Sequence, residues 1–167
     1  LRSKSFDIPV ICVGNLAVGG TGKTPHTEYL IRLLQNEGIN VAALSRGYKR
    51  KSKGYILATA ESSAGKIGDE PYQIKSKFPD IRVAVDEDRC HGIEQLLKLK
   101  NPAVDAVLLD DAFQHRRVKA GLNILLTDFH RLLCDDVLLP AGRLREPAGG
   151  KNRAQIVIVT KCPDNIK

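Results

Sequence analysis

The chain has no methionine and no tryptophan, and its aromatic side chains are only 4 Phe and 4 Tyr. Without a methionine, Leu1 is not a natural start. The sequence is therefore expected to be a fragment or a processed product, from which targeting segments could have been cut. The few aromatics are not clustered and no recognition motif accompanies them. That argues against a base-stacking surface, so no nucleic-acid partner is expected. The 4 cysteines, Cys12, Cys90, Cys134 and Cys162, lie far apart with no C-x-x-C pair. This spacing argues against a cysteine metal cluster and fits a reduced, cytoplasmic setting. No apolar run approaches the roughly 18 residues of a membrane span, and no signal peptide, internal repeat or low-complexity tract is visible.

What is present is 167 residues, enough for one domain with a real core, carrying a net charge of +7. The basic residues cluster at Arg46 to Lys53, Arg116 to Lys119 and Arg143 to Arg153. Each cluster alone reads as a solvated face. Together they favour an anionic partner: a nucleotide, a nucleic acid or a phosphorylated lipid.

The most informative stretch runs from Ile11 to Thr24. An apolar run stops, a glycine-rich turn follows, and Gly22-Lys23-Thr24 opens a helix. That order suits a phosphate-binding loop. Its glycines let backbone N–H groups converge on an anion, its lysine reaches the outer phosphates, and its threonine hydroxyl can ligate Mg²⁺. The helix start adds its unpaired N–H groups. Val18, Gly19, Gly20, Thr21, Gly22, Lys23 and Thr24 are the expected nucleotide contacts. The usual first glycine of the pattern is replaced by Ala17, so Gly19 and Gly20 must supply the flexibility.

Strands are expected at 8–13, 41–44, 81–85, 106–109, 122–126 and 156–159, with a short one at 55–59. A helix follows the loop, with Tyr29, Leu30, Leu33 and Leu34 as its buried stripe, Pro25 in its first turn and Gly38 as its C-terminal cap. Residues 60–68 read as loop. A helix begins at Asp69 and closes before Pro79. Asp88 caps another that carries Ile93, Leu96 and Leu97. Segment 128–155 reads as loop with one short helix near Arg131. Strands alternating with helices imply an α/β fold, and uniformly apolar strands imply a parallel sheet buried on both faces. Ligands in such sheets bind beyond the carboxyl ends of the strands. That rule groups the phosphate loop with Ser45 to Tyr48, Asp86 to Asp88, Asp110-Asp111, Asp128 and Thr160-Lys161.

Asp110 and Asp111, delivered by a buried strand, are the expected metal carboxylates, together with Thr24. Gln114 and His115 follow at once and have the chemistry to contact an acceptor. Asp69 reads either as a helix cap or as a base that takes a proton from an attacking hydroxyl. Arginines in Pro140 to Pro147 can grip phosphate. Thr160-Lys161 is similar to the base-reading motif of GTPases, with its aspartate one residue late at Asp164.

Five motifs in order carry a resemblance. They are Gly14-Asn15 with Val18 to Pro25, Ser45-Arg46-Gly47-Tyr48, Gly68-Asp69-Glu70-Pro71, Asp110 to His115, and Leu139 to Pro147. Over about residues 8–162 the chain resembles the tetraacyldisaccharide 4'-kinase family, the lipid A 4'-kinases of Gram-negative bacteria. The resemblance implies a P-loop NTPase-like three-layer sandwich with a mostly parallel central sheet. It implies transfer of the γ-phosphate of ATP, with Mg²⁺, to the 4'-hydroxyl of a lipid disaccharide 1-phosphate at the cytoplasmic face of the inner membrane. Carried over by position, Lys23, Asp69, Asp111 and Arg143 are implied to be catalytic. Thr24, Asp110 and Asp111 are implied to hold the metal. Gln114, His115, Arg46, Tyr48 and Arg89 are implied to meet substrate or phosphate. Family members also carry an apolar N-terminal anchor and a second, C-terminal lobe. Residues 1–167 are thus expected to be one nucleotide-binding lobe, truncated at both ends and soluble as a fragment. Such a lobe would hold phosphate weakly and not turn over. The alternative is a nucleotide-switched ATPase of the partitioning type, but its extra lysine before the two glycines is Val18 here.

Overall fold

The structure, a computed structural model, describes residues 3–165. Seven strands form one sheet: β1 (Val10–Gly14), β2 (Val41–Ser45), β3 (Ile56–Leu57), β4 (Arg82–Val85), β5 (Ala106–Asp110), β6 (Leu122–Asp128) and β7 (Ile156–Thr160). Their order across the sheet is β3-β4-β2-β5-β1-β6-β7. Every neighbouring pair is parallel except β3 with β4. The helices are α1 (Lys23–Asn36), α2 (Ala64–Ile67), α3 (Asp69–Lys77) and α4 (Arg89–Leu97), with a 3₁₀ helix at Ala148–Arg153.

The strand period of two sorts the core into two halves. On β2 and β5, Ala42, Leu44, Val107 and Leu109 pack towards Ile93 and Leu96 of α4. Their neighbours Val41, Ala43 and Leu108 pack towards Ile31 of α1 and Ile74 of α3. Helices therefore cover both faces, which makes the three-layer P-loop NTPase-like arrangement. Burying a side chain such as Ile31 contributes about 2 kcal/mol and holds α1 against the strands that present the site.

Several expected elements take another form. The buried side of α1 is Thr27, Glu28 and Ile31, whereas Tyr29 is 61% and Leu33 44% exposed. Polar contacts set this rotation. Thr27 Oγ1 donates to Asp110 Oδ1 at 2.9 Å, and Glu28 accepts from Lys77 at 2.7 Å and Gln73 at 2.8 Å on α3. Residues 60–68 contain α2 rather than only loop. The turn of helix expected near Arg131 lies instead at Ala148–Arg153. Asp69 is the first residue of α3 and not its cap, a position that falls to Gly68. Asp88 does cap α4, accepting from the backbone N–H of Cys90 at 3.0 Å and His91 at 3.4 Å. Gly38 adopts φ 74° and closes α1 as expected. β7 is apolar yet largely exposed, because it is the last strand at its edge of the sheet. Burial pushes the Cys12 thiol up to about 12, which leaves it an inert core side chain.

Candidate active site

The parallel strands end on one side of the sheet, and the loops there enclose a cleft of about 660 Å³. After β1 the chain enters the phosphate loop. Positive φ falls at Gly19 (113°) and Gly22 (81°), where glycine costs nothing. Ala17 needs no glycine, since it sits in an extended bridge with Leu144. Gly22 is the N-cap residue of α1, so the first free N–H groups of that helix belong to the loop.

The strand β5 brings Asp110 and Asp111 beside the loop. Asp110 is 1% exposed. Burial and then the Glu70 carboxylate push it up to about 6, against the opposing hydrogen bond from Thr27. Asp111 has φ 46°, a strained position for a residue with a side chain, of the kind that gathers at working sites. Its Oδ1 lies 3.1 Å from Arg145 Nη2 and 3.7 Å from Lys23 Nζ. Two cations thus converge on one carboxylate at the mouth of the loop.

Asn15, fully buried, ties these parts together. Its Nδ2 donates to Thr21 Oγ1 at 2.8 Å, its Oδ1 accepts from Arg145 Nη2, and its backbone carbonyl accepts from Gln114 Nε2 at 2.7 Å. Arg89, which also lines the cleft, is 5% exposed, and no carboxylate pairs with it among the described residues. Its Nη1 donates only to the carbonyls of Asp86 and Glu87, and its Nε has no partner. Burial and then the nearby Arg46 charge lower its pKa. A buried, unpaired cation is costly, and an anion entering the cleft would relieve that cost. His115 Nε2 is likewise buried without a partner, and burial followed by the Arg89 charge keeps this ring neutral near pH 7.

The tetraacyldisaccharide-1-P 4'-kinase family matches residues 1–167. The chain belongs to this family. It is 78% identical over its whole length to a tetraacyldisaccharide 4'-kinase of Bacteroides fragilis, covering 44% of that protein. It is 72% identical to one from Bacteroides thetaiotaomicron, again covering 44% of it. A crystal structure of LpxK from Aquifex aeolicus in complex with ATP superimposes with a TM-score of 0.87. There the identity is 42%, over 96% of this chain and 50% of that one. The chain thus spans less than half the length of the curated kinases it matches.

In this kinase-family chain, Val18, Gly19, Lys23, Arg46, Tyr48, Glu70, Arg89, Asp110, Asp111, Gln114, His115 and Arg145 line the cleft. Gly20 and Thr21 line a smaller adjoining one. Thr24 occupies the first turn of α1 but not the cleft lining. Asp69 is exposed at the start of α3, and its neighbour Glu70 enters the lining instead. Two glycines carry that loop to the cleft. A Cβ on Gly68 (φ 95°) would meet Gly47 at 3.1 Å, so the Ser45-to-Tyr48 and Gly68-to-Pro71 segments touch only because both are glycine.

Arg143 does not reach the carboxylates. Its backbone N–H donates to Asp136 Oδ1 at 3.1 Å, and the residue lines the smaller cleft. Arg145, not Arg143, pairs with Asp111. The two lie in one extended segment that pairs with the loop entrance: Val18 N–H donates to Arg143 O at 2.8 Å and Arg145 N–H to Leu16 O at 2.7 Å. Spacing could not choose between the two arginines, because the choice depends on that register. Thr27 was also missed, although it lies one helical turn beyond Lys23, where it shares that residue's face.

Proposed function

We propose that the longer polypeptide to which these residues belong transfers the γ-phosphate of ATP to the 4'-hydroxyl of tetraacyldisaccharide 1-phosphate. The observation that carries this reading is the meeting of Lys23 and Arg145 on Asp111 at the mouth of the phosphate loop, in a cleft that the unpaired Arg89 also lines. Membership of the kinase family and the ATP in the related Aquifex aeolicus structure support it.

Backbone N–H groups of Val18 to Gly22 and the start of α1 cradle the phosphates of ATP. Lys23 and Arg145 neutralise charge on the transferred group. The donor set of Asp110, Asp111 and Thr24 is all oxygen and suits Mg²⁺, and the strongly desolvated Asp110 gains from a nearby cation. When bound, the ion supplies charge neutralisation on the phosphates. Asp69, next in the chain to the cleft-lining Glu70, takes the proton of the 4'-hydroxyl. The 4'-oxygen then bonds to the γ-phosphorus, the bond to the β–γ bridging oxygen breaks, and ADP leaves. His115 and Gln114 contact the acceptor. Arg143 serves the phosphates from the smaller cleft.

Residues 1–167 act as one nucleotide-binding lobe, which a further lobe of the same polypeptide completes. The protein works at the cytoplasmic face of the inner membrane, where its positive charge suits an anionic lipid. No helix among the described residues is long and apolar enough to cross a membrane.

The test is to incubate the full-length protein with Mg-ATP and tetraacyldisaccharide 1-phosphate and measure the new lipid phosphomonoester. Product is expected from the wild type and not from Lys23→Ala or Asp69→Ala. ATP hydrolysis without lipid product would overturn the kinase reading.

A further inference from the structure

Three side chains of different metal-binding kinds meet where the start of α4 touches the loop after β5. Asp88 caps α4, Cys90 stands in its first turn, and His115 comes from that loop. A carboxylate oxygen, the Cys90 Sγ and a ring nitrogen of His115 all lie within 4.8 Å of one another. Two bonds already join the segments that carry them. Cys90 Sγ donates to the Arg117 carbonyl at 3.5 Å, and Arg117 Nη1 donates to Asp88 Oδ2 at 3.1 Å. His115 adds an independent sign, because its Nε2 is buried with no hydrogen-bond partner, an uncommon state for a buried polar atom. Its ring is neutral near pH 7, the form in which imidazole binds a metal. The Asp88 side chain is 40% exposed and leaves a way in from solvent.

We propose that Asp88, Cys90 and His115 form a site for a zinc-type divalent cation, and that the bound ion draws His115 away from the active-site cleft, which this residue also lines. A mixed oxygen, sulfur and nitrogen set suits Zn²⁺, and three protein ligands leave a fourth position for water. Mg²⁺ prefers oxygen alone and is a poor fit. Ligand atoms around tetrahedral zinc stand about 3.5 Å apart, so the three donors need to close by only roughly 1 Å. Binding forms a bond from the metal to Cys90 Sγ and releases the thiol proton to water. The thiolate and the carboxylate then carry two negative charges, which the ion neutralises. Arg117 must give up Asp88 Oδ2, and its side chain, 56% exposed, can turn into water. Arg89 and Arg46 bring further positive charge near His115, which the two anionic ligands have to outweigh. The metal site is independent of the kinase reading above, and only its effect on turnover rests on that reading.

The experiment titrates the full-length protein with Co²⁺ as a spectroscopic stand-in and then with Zn²⁺. Wild type is expected to show a thiolate-to-cobalt charge-transfer band in the near ultraviolet, which Zn²⁺ abolishes. Cys134→Ser/Cys162→Ser should keep the band, since those exposed thiols take no part. Cys90→Ala should lose it and retain one zinc fewer per chain in equilibrium dialysis. Asp88→Asn keeps a side chain that can cap α4 and should bind zinc about tenfold or more weakly. Thermal unfolding is the folding control for each variant. With Mg-ATP in excess, Zn²⁺ should lower kcat/KM for the lipid by a larger factor in wild type than in Cys90→Ala. No band in wild type, or a band that survives Cys90→Ala, overturns the site. Equal zinc inhibition of the two proteins overturns the link to the cleft. If no lipid product forms even without zinc, the kinase reading falls and the effect on turnover with it, while the spectrum still decides the metal site.

Discussion

Asp111 receives Lys23 and Arg145 at once, whereas Arg143 faces a different cleft, so these residues separate cleanly by mutation. Arg145→Ala in the full-length protein is expected to lower kcat/KM by roughly ten- to a hundredfold, the worth of a charge-assisted hydrogen bond. Arg143→Ala should cost less than Arg145→Ala, and steady-state kinetics on the two variants orders them. The neighbouring Asp110 yields a pH prediction. Its folded-state pKa of about 6 lies above the usual 3.8. The neutral carboxyl is therefore the form favoured by folding. Its contribution to stability is fully present below about pH 4 and is lost as pH rises through 6, roughly 3 kcal/mol in all. Without metal, the thermal midpoint of the wild type should fall over that window, and Asp110→Asn should flatten the fall. Addition of Mg²⁺, which favours the ionised carboxylate, should flatten it too. An unchanged pH profile in Asp110→Asn would remove Asp110 as the cause.

Among the elements, α1 and the two glycine contacts set the geometry of the cleft. α1 is rotated so that Thr27 reaches Asp110 and Glu28 reaches α3, and this exposes Tyr29 and Leu33. Hydrophobic periodicity could not foresee it, because buried polar groups compete with apolar ones for the inner face once they find partners. Ile31→Ala should cost about 2–4 kcal/mol in chemical denaturation, whereas Leu33→Ala, on the exposed side, should cost well under half as much. The approach of the Ser45-to-Tyr48 segment to Gly68-to-Pro71 is similarly fragile. Gly68→Ala puts a side chain at φ 95° and 3.1 Å from Gly47, so the two segments must part. Stability should drop by about 1–2 kcal/mol from the backbone penalty alone, and kcat should fall, since the first turn of α3, which bears Asp69 and Glu70, moves. A Gly68→Ala protein with wild-type kcat would sever this loop from the chemistry.

At the scale of the molecule, Lys23, Arg46, Arg89 and Arg145 bring positive charge to the cleft, while β7 presents Ile156, Val157 and Val159 at 42%, 53% and 42% exposure. An apolar strand at the edge of a sheet is a template for pairing. Residues 1–167 alone should therefore self-associate with concentration, and Val157→Lys should suppress that in sedimentation measurements. In the full-length protein, which in curated relatives is more than twice as long, the same substitution tests whether the rest of the polypeptide covers this strand. If it does, Val157→Lys should be clearly destabilising there.

The sequence by itself determined the α/β class, the phosphate loop, the delivery of Asp110-Asp111 and the cap at Asp88. Each of these is written in a few contiguous residues: a two-fold apolar period, glycines at fixed offsets, a carboxylate before a helix. Only the tertiary structure decided which arginine meets Asp111, that Thr27 holds Asp110, that Asn15 joins loop to arginine, and that Arg89 is buried unpaired. Those facts depend on strand register and helix rotation. Such variables are set by contacts between residues far apart in the chain, as in the reach of Thr27 to Asp110 and of Arg145 to Asn15, and local pattern carries no trace of them.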